Sequence, residues 1–372
     1  MSNATAEQHL PVPRSFVPHH LRNAPPRPID WMRRNLFSSP FNSALTIVVL
    51  VLAWLILPPL FRWAITHATV SGLTRAACSG DGACWTFIRV RFPRFIYGNY
   101  PSDQYWRVDA AFALLVALCV PVLRDDTRQR WLFLLLLLTA FPVLAWMLLA
   151  GGLFGLTYVD TSLWGGLMLD VAVSFVAVVG SLPLGILLAF GRRSQLRVIR
   201  ILSIGYIEIW RGVPLLTVLF MSAVVMPLFL PEGVSVDRLL RAMAALVLFN
   251  AAYMAEVVRG GLQGVPSSQD EAAYSLGLSW WQAQAFVVLP QALRIIVPGI
   301  INTVVDLFKD TTLVTIIGLF DLLGAVEQAL KDPAWLGFAT EGYVFSAAVF
   351  FACCFAMSAY GRSMERRLAK GD

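Results

Sequence analysis

From Ala44 to Phe61 the chain sets down 18 residues in succession without one charged side chain. Further apolar runs, four of them carrying a few charges, lie at Ala110–Leu123, Trp131–Ala150, Trp164–Phe190, Tyr206–Leu230, Leu239–Val258, Pro298–Phe320 and Tyr343–Tyr360. About 20 apolar residues, rising 1.5 Å each, match the hydrocarbon core of a bilayer. The sequence therefore reads as an all-α polytopic membrane protein with about eight transmembrane helices. Composition agrees: 58% of residues are hydrophobic and only 14% charged, against about half and a quarter for soluble domains. An ordinary cytosolic enzyme and a disordered chain are both excluded. The second run is short, since its 14 residues reach only about 21 Å. It must borrow from its flanks, tilt, or thin the bilayer. The first run is too long, and too far behind a Pro/Arg-rich segment, to be a cleavable signal peptide.

Lys and Arg set the orientation. With the N-terminus inside, the inner segments hold 18 of the 29 basic residues and the outer ones 8. Both termini are then expected in the cytoplasm. The net charge of +6 is an orientation signal and gives no reason to invoke nucleic acid. Residues 1–43 read as a mostly irregular cytoplasmic tail. Residues 44–150 read as three spans around a large outer loop, 62–109. Residues 164–360 read as a five-helix unit with a cytoplasmic loop at 260–297, followed by a short cytoplasmic tail, 361–372. Within the outer loop, Thr86–Phe92 alternates apolar and basic residues in a strand-like way.

Of the five cysteines, Cys119, Cys353 and Cys354 fall in spans and behave as small apolar side chains. Cys78 and Cys84 share the outer loop, where an oxidising space allows a local disulfide; the alternative is two free thiols. No metal site is expected, because His9, His19, His20 and His67 lie outside the spans and none is spaced with those cysteines.

Gly260–Val297 is too polar to span and too patterned to be slack. Ser268-Gln-Asp-Glu271 matches a capping box, in which hydroxyl and carboxylate each satisfy an orphan amide. A short helix should follow and stop at Gly277, where a left-handed residue is needed. Ser279-Trp-Trp-Gln282 is a second capping box, opening a helix that should end near Pro290. The pair would form a rigid elbow.

That loop carries a family resemblance. Glu271-Ala272-Ala273-Tyr-Ser-Leu-Gly277, with Val288-Leu-Pro-Gln-Ala292, resembles the EAA loop of ABC-importer permeases. Tyr253-Met-Ala-Glu256-Val-Val-Arg259-Gly-Gly261, Glu208-Ile-Trp-Arg211-Gly-Val-Pro214 and Lys309-Asp310-Thr-Thr-Leu313 resemble the polar amino-acid branch of the type I permeases. The added N-terminal spans look like the larger permease of the general L-amino-acid importers. The resemblance covers about residues 164–330. It implies an amino-acid permease in a bacterial inner membrane, working with separate ABC ATPase subunits, a second and distinct permease, and a periplasmic amino-acid-binding protein. Glu271, Ala272, Ala273 and Gly277 would couple to the ATPase. Two departures are present: Ser268 stands where the family usually has Gly, and Asp170 where a core span usually has a hydroxyl residue.

Asn302, Asp306 and Asp310 recur at i, i+4 with Lys309 on the same face. A charge at bilayer depth costs about 3 kcal/mol by insertion scales and tends to face a bundle interior or a cavity. The set is either an internal network tying helices together or a polar wall that meets a zwitterionic amino acid. Asp170, with no cation within a helical turn, is a candidate for a substrate ammonium group, for pairing with another helix, or for snorkelling. Glu208 with Arg211, and Glu256 with Arg259, are i, i+3 pairs at inner helix ends, read as interfacial snorkelling or as a gate.

No Gly-x-x-x-x-Gly-Lys-[Ser/Thr] loop is present to cradle phosphates. No catalysis and no cofactor are expected of this chain, ATP being bound by the partner ATPase. The alternatives are an ion-coupled secondary transporter and a membrane-embedded enzyme using the intramembrane carboxylates.

Overall fold

The computed structural model describes residues 28–78, 80–124 and 127–370. Residues 1–27 of the expected N-terminal tail lie outside the described residues. The chain divides into two compact units, residues 1–68 with 81–83, and residues 69–80 with 84–372.

In the first unit, α1 (Pro28–Asn35) is followed by α2 (Pro40–Phe61), so the described part of the expected tail is largely helical. Ser39 caps α2, its hydroxyl accepting from the Asn42 amide at 3.1 Å, with Pro40 in the first turn, where its missing N–H costs nothing. Pro58 and Pro59 remove two donors near the far end, and the helix relaxes into a wide turn over Arg62–Thr66.

The second unit holds α3 (Trp85–Tyr97), α4 (Tyr105–Leu123), α5 (Arg130–Ala150), α6 (Gly166–Arg193), α7 (Arg197–Gly212), α8 (Leu215–Phe220) and α9 (Arg238–Gly264). It continues with α10 (Ser267–Ser275), α11 (Trp280–Ala283), α12 (Leu289–Asp310), α13 (Leu322–Leu330) and α14 (Ala339–Lys370). Among the described residues there is no strand, only isolated bridges at Thr69–Cys84 and Gly166–Asp321. Among the described residues, six helices are long and apolar enough to cross a membrane, and up to eight if two bent pairs each count as one span.

The bent pairs bear on two expectations. Tyr206–Leu230 is not one straight span: α7 and the helical run Leu215–Phe229 meet at 100°. Pro214 forces Val213 out of the helical region, to φ −102° and ψ 135°, because the proline ring clashes with a helical predecessor. The helix opened by Ser279 passes through a wide turn at Gln284–Val288 and runs to Ala292, where it meets Arg294–Ile317 at 62°, close to Pro290 as expected. Helical backbone continues across this bend, so α12 spans Leu289 to Asp310 and runs on as a tight 3-10 stretch, Thr311–Ile317. Pro290 falls in the first turn of α12, a position that tolerates proline.

Two further expectations change. Thr86–Phe92 is not strand-like but lies within α3, which buries Phe87, Ile88 and Phe95 against Leu322, Ala325 and Trp335. Seven residues of alternation are too few to outweigh that packing. The expected C-terminal tail from 361 continues α14 as far as Lys370. The short second span draws on its N-terminal flank, as one of the expected remedies required: α4 begins at Tyr105.

The centre of the second unit is the α6–α9 pair, the most extensive helix contact of the chain. Leu169, Val173 and Ala177 of α6 pack with Leu239, Leu246 and Phe249 of α9. At Gly185 an added Cβ would come within 2.6 Å of the Met254 Cβ. Small residues at such contacts let helix backbones approach where no hydrophobic drive separates helix from lipid.

Candidate coupling and translocation sites

The elbow forms with one capping box, not two. Val265 is extended and Pro266 starts the turn, so α10 opens at Ser267 without a side-chain cap. Ser268 is thereby drawn inside the first turn, and the box with Glu271 does not form. Asp270 instead accepts from Gln284 Nε2 at 2.6 Å, fastening α10 to the turn beyond α11. The second box is present: Gln282 Oε1 accepts from the Ser279 amide at 2.9 Å. Between them Gly277 takes φ +80°. Its amide donates to Tyr274 O at 2.9 Å and the Leu278 amide to Ala273 O at 3.2 Å, the paired closure of a helix that ends on a left-handed glycine.

Glu271, Ala272 and Gly277 are exposed, whereas Ala273 is buried against its own chain. Leu276 and Trp281 are 83% and 71% exposed. The elbow thus offers a small-residue surface flanked by large apolar side chains, chemistry that suits insertion into a cleft.

At one end of α6, α7 and α9 lies an ion cluster. Glu256 accepts from Arg192 at 2.9 Å and from Arg259 at 2.7 Å and 3.0 Å, with Arg211 at 3.6 Å. Arg192 also reaches Glu208 at 3.4 Å, and the Arg211 guanidinium lies 5.7 Å from the Tyr253 ring centre. Of the two expected pairs, Glu256 with Arg259 forms. Arg211 lies 3.6 Å from Glu256, which the packing of α7 on α9 brings near, rather than pairing with Glu208. Arg192, at the cluster's centre, was not singled out from sequence. The signal available was a basic residue ending a span, common to most spans and so uninformative.

On α12, Asn302, Asp306 and Lys309 share one exposed face, and Asp310 is half-buried. Asp306 and Lys309 pair at 2.8 Å with 68% and 54% of their side chains exposed. The pair touches no ion on another helix among the described residues.

Asp170 is fully buried. Its Oδ1 accepts from Thr311 Oγ1 at 2.6 Å and its Oδ2 from the Leu322 amide at 3.0 Å. Both oxygens are engaged by protein, so the geometry favours the pairing alternative over the substrate-ammonium site, the role expected first of Asp170, and over snorkelling. Asp321 stands beside it, capping α13 by accepting from the Gly324 amide at 2.9 Å and from Thr315 Oγ1. Asp321 was not recognised from sequence as part of this hub, although an Asp before an apolar helix is the ordinary N-cap signal.

Cys78 and Cys84 are bridged, with Cα atoms 5.6 Å apart. The bridge precedes α3, whose Arg91 pairs with Asp332 and whose Arg94 donates to Gln328 at 2.7 Å. Glu341 accepts from the Cys84 amide at 3.1 Å. Arg107, also unforeseen, is buried with two nitrogens on the carbonyl and hydroxyl of Thr157. Among the described residues no group of three or more His, Cys, Asp or Glu could hold a metal ion.

Comparison with known proteins gives this arrangement its family. Residues 181–370 match the model of the binding-protein-dependent transport system inner membrane component. The chain belongs to that family. An inner membrane amino-acid ABC transporter permease, YhdY of Escherichia coli K12, is 49% identical over 94% of this chain and 98% of its own length. The BztC permease of a glutamate/glutamine/aspartate/asparagine transport system in Rhodobacter capsulatus is 39% identical over 92% of this chain and 94% of its own. A solved amino acid ABC transporter crystallised with histidines aligns over 54% of this chain and 92% of its own, at 30% identity and a TM-score of 0.49. The permease is therefore a multi-pass inner-membrane transport subunit. The family match begins within α6 and takes in the elbow, the Glu256 cluster and the α12 stripe. Both relatives extend well beyond it, over nearly the whole permease.

Proposed function

We propose that this permease moves amino acids inward across a bacterial inner membrane as one subunit of a type I ABC importer. The observation that carries the substrate class is the 49% identity, along nearly the whole chain, to a permease named for amino acids. Family membership and the exposed elbow support coupling to separate ATPase subunits that bind and hydrolyse ATP. Glu271, Ala272 and Gly277 would enter the ATPase cleft, and Ala273 would anchor the elbow to its own chain. The Asn302–Asp306–Lys309 face would line the pathway opposite a second, distinct permease, its paired charges matching a zwitterion. Glu208, Arg211, Glu256 and Arg259 would hold the inner gate, with both termini cytoplasmic. A periplasmic amino-acid-binding protein would deliver substrate to the outer segments around the disulfide. Closure of the ATPase pair would shift the population between outward- and inward-open states.

The test is amino-acid uptake by proteoliposomes containing the co-purified complex, comparing native Gly277 with Gly277→Pro. Proline cannot adopt the left-handed φ, so the variant should stay assembled while losing ATP-driven uptake and stimulated ATPase. Full retention of both, or uptake that persists without ATP and collapses with the proton gradient, would refute the coupling role.

A further inference from the structure

Helix α7 divides into three sectors. Ser203 and Ile207 are buried, in the sector that packs on α6 and α9. Val198, Ile201, Leu202 and Ile209 recur at helical spacing with 65% to 69% of each exposed. Arg197, Arg200 and Arg211 fall in the third sector. The course of α7 is fixed at three points. An added Cβ on Gly191 would overlap the Ser203 hydroxyl. Glu208 is 3.4 Å from Arg192, and Arg211 is 3.6 Å from Glu256, itself 2.9 Å from Arg192. From Ser203 to Arg211, about 12 Å of helix, α7 therefore stays beside one level at the end of α6. A helix running alongside α6 would climb it by that same distance. The run Leu215–Phe229 then departs at 100°.

We propose that α7 lies in the plane of the membrane, at the boundary between hydrocarbon and headgroups. Its exposed apolar stripe enters the leaflet, and Arg193, Arg197 and Arg200 seat on the phosphates of anionic phospholipid. Residues 206–212, read from sequence as the start of the fifth span, belong to this surface helix. The two sides of α7 point to opposite sides of the boundary. Tyr206, opposite Arg197 on the helix, reaches Leu248 O at 2.7 Å, two turns of α9 away from Glu256 and so deeper in the span. The arginines select the headgroup charge. All three are exposed, none pairs with an acid among the described residues, and no Asp or Glu lies between Asp170 and Glu208. A second subunit on the stripe would leave those cations to be neutralised separately, whereas an anionic leaflet supplies apolar medium and counter-charge together. The orientation proposed above makes that leaflet the cytoplasmic one; the in-plane course does not rest on it. The helix thereby moors the Glu256 cluster to the membrane surface.

The test uses the co-purified complex in lipid nanodiscs, in a background of Cys119→Ala, Cys353→Ala and Cys354→Ala. A nitroxide is placed on Val198→Cys, Leu202→Cys or Ile209→Cys, and collision with oxygen and with a nickel chelate gives its depth. The three labels should agree, at about 5–10 Å below the phosphates. Val198 and Ile209 stand about 16 Å apart along the helix, so depths differing by more than about 8 Å overturn the in-plane course. Labels shielded from both colliders mean that a subunit covers the stripe, and overturn it as well. For the charge, an environment-sensitive fluorophore on Ile201→Cys is quenched by doxyl-labelled phosphatidylglycerol or phosphatidylethanolamine at equal mole fraction. The anionic lipid should be favoured about five-fold, and Arg197→Gln with Arg200→Gln should bring the ratio close to one. Equal quenching with the arginines intact, or a ratio unmoved by the double substitution, overturns the anionic seat.

Discussion

Asp170 on α6 accepts the Thr311 hydroxyl at 2.6 Å while its second oxygen takes the Leu322 amide at 3.0 Å. One side chain thereby joins a membrane span to the end of the α12 run and to the first residue of α13. The elements it joins lie 141 and 152 residues away in sequence. A residue that stands in sequence as an isolated intramembrane charge is, in the fold, the meeting point of three segments.

Asp170→Ala should therefore act on stability. It leaves the Leu322 amide buried and unpaired, a loss of about 1–3 kcal/mol, whereas Thr311 keeps its bond to Phe308 O at 2.7 Å. Asp170→Asn retains one acceptor and should fall between. Thermal unfolding of the purified complex should rank native, Asn, Ala. The uptake KM for cationic and neutral amino acids should be the same in Asp170→Asn as in the native protein. A KM raised only for cationic substrates would restore the ammonium role.

In the ion cluster the acceptor outweighs any one donor. Glu256→Gln leaves Arg192, Arg211 and Arg259 facing one another, and with Glu256 only 16% exposed the loss should be roughly 1–3 kcal/mol, discounted for the solvent reaching the arginines. Arg211→Ala removes a 3.6 Å contact from a 39% exposed side chain and should cost no more than about 0.5 kcal/mol. Denaturant midpoints of the variants check the ranking.

The Cys78–Cys84 bridge closes a loop with a sequence separation of 6, for which chain entropy gives about 2 kcal/mol. Cys78→Ala should lower hydrogen-exchange protection across α3 while leaving α10 unchanged. Equal loss in both helices would mean that the bridge supports the whole chain.

Tyr97, before the second span, is pushed up to about 12 by burial, reinforced by its bond to Asp109 at 2.8 Å. Its folded value exceeds the free phenol value of 10.0. The protonated phenol thus favours the folded state, fully below pH 10 and progressively less as pH rises toward 12. In tyrosinate absorbance titrations, Tyr97→Phe should remove one transition near pH 12, leaving the others in place.

Much of the transport core was legible as pattern. The apolar runs exposed the spans because a bilayer tolerates little else at that length. Gly277 and Ser279 declared the elbow because a left-handed turn and a hydroxyl cap are demands on residue type alone. Ser268 misled for the same local reason: the capping motif was real in sequence, but Pro266 set the helix start two residues earlier.

The sequence by itself determined the all-α class, the number of apolar runs, the elbow and the positions of the intramembrane charges, since each depends on neighbours within a turn or two. Only the tertiary structure decided what those charges do. Asp170 finds Thr311, Glu256 gathers Arg192, and the face of Asp306 and Lys309 stays open, because partners on different helices are chosen by packing. A helix sequence specifies which face is polar; the helices it packs against specify what that polar face meets.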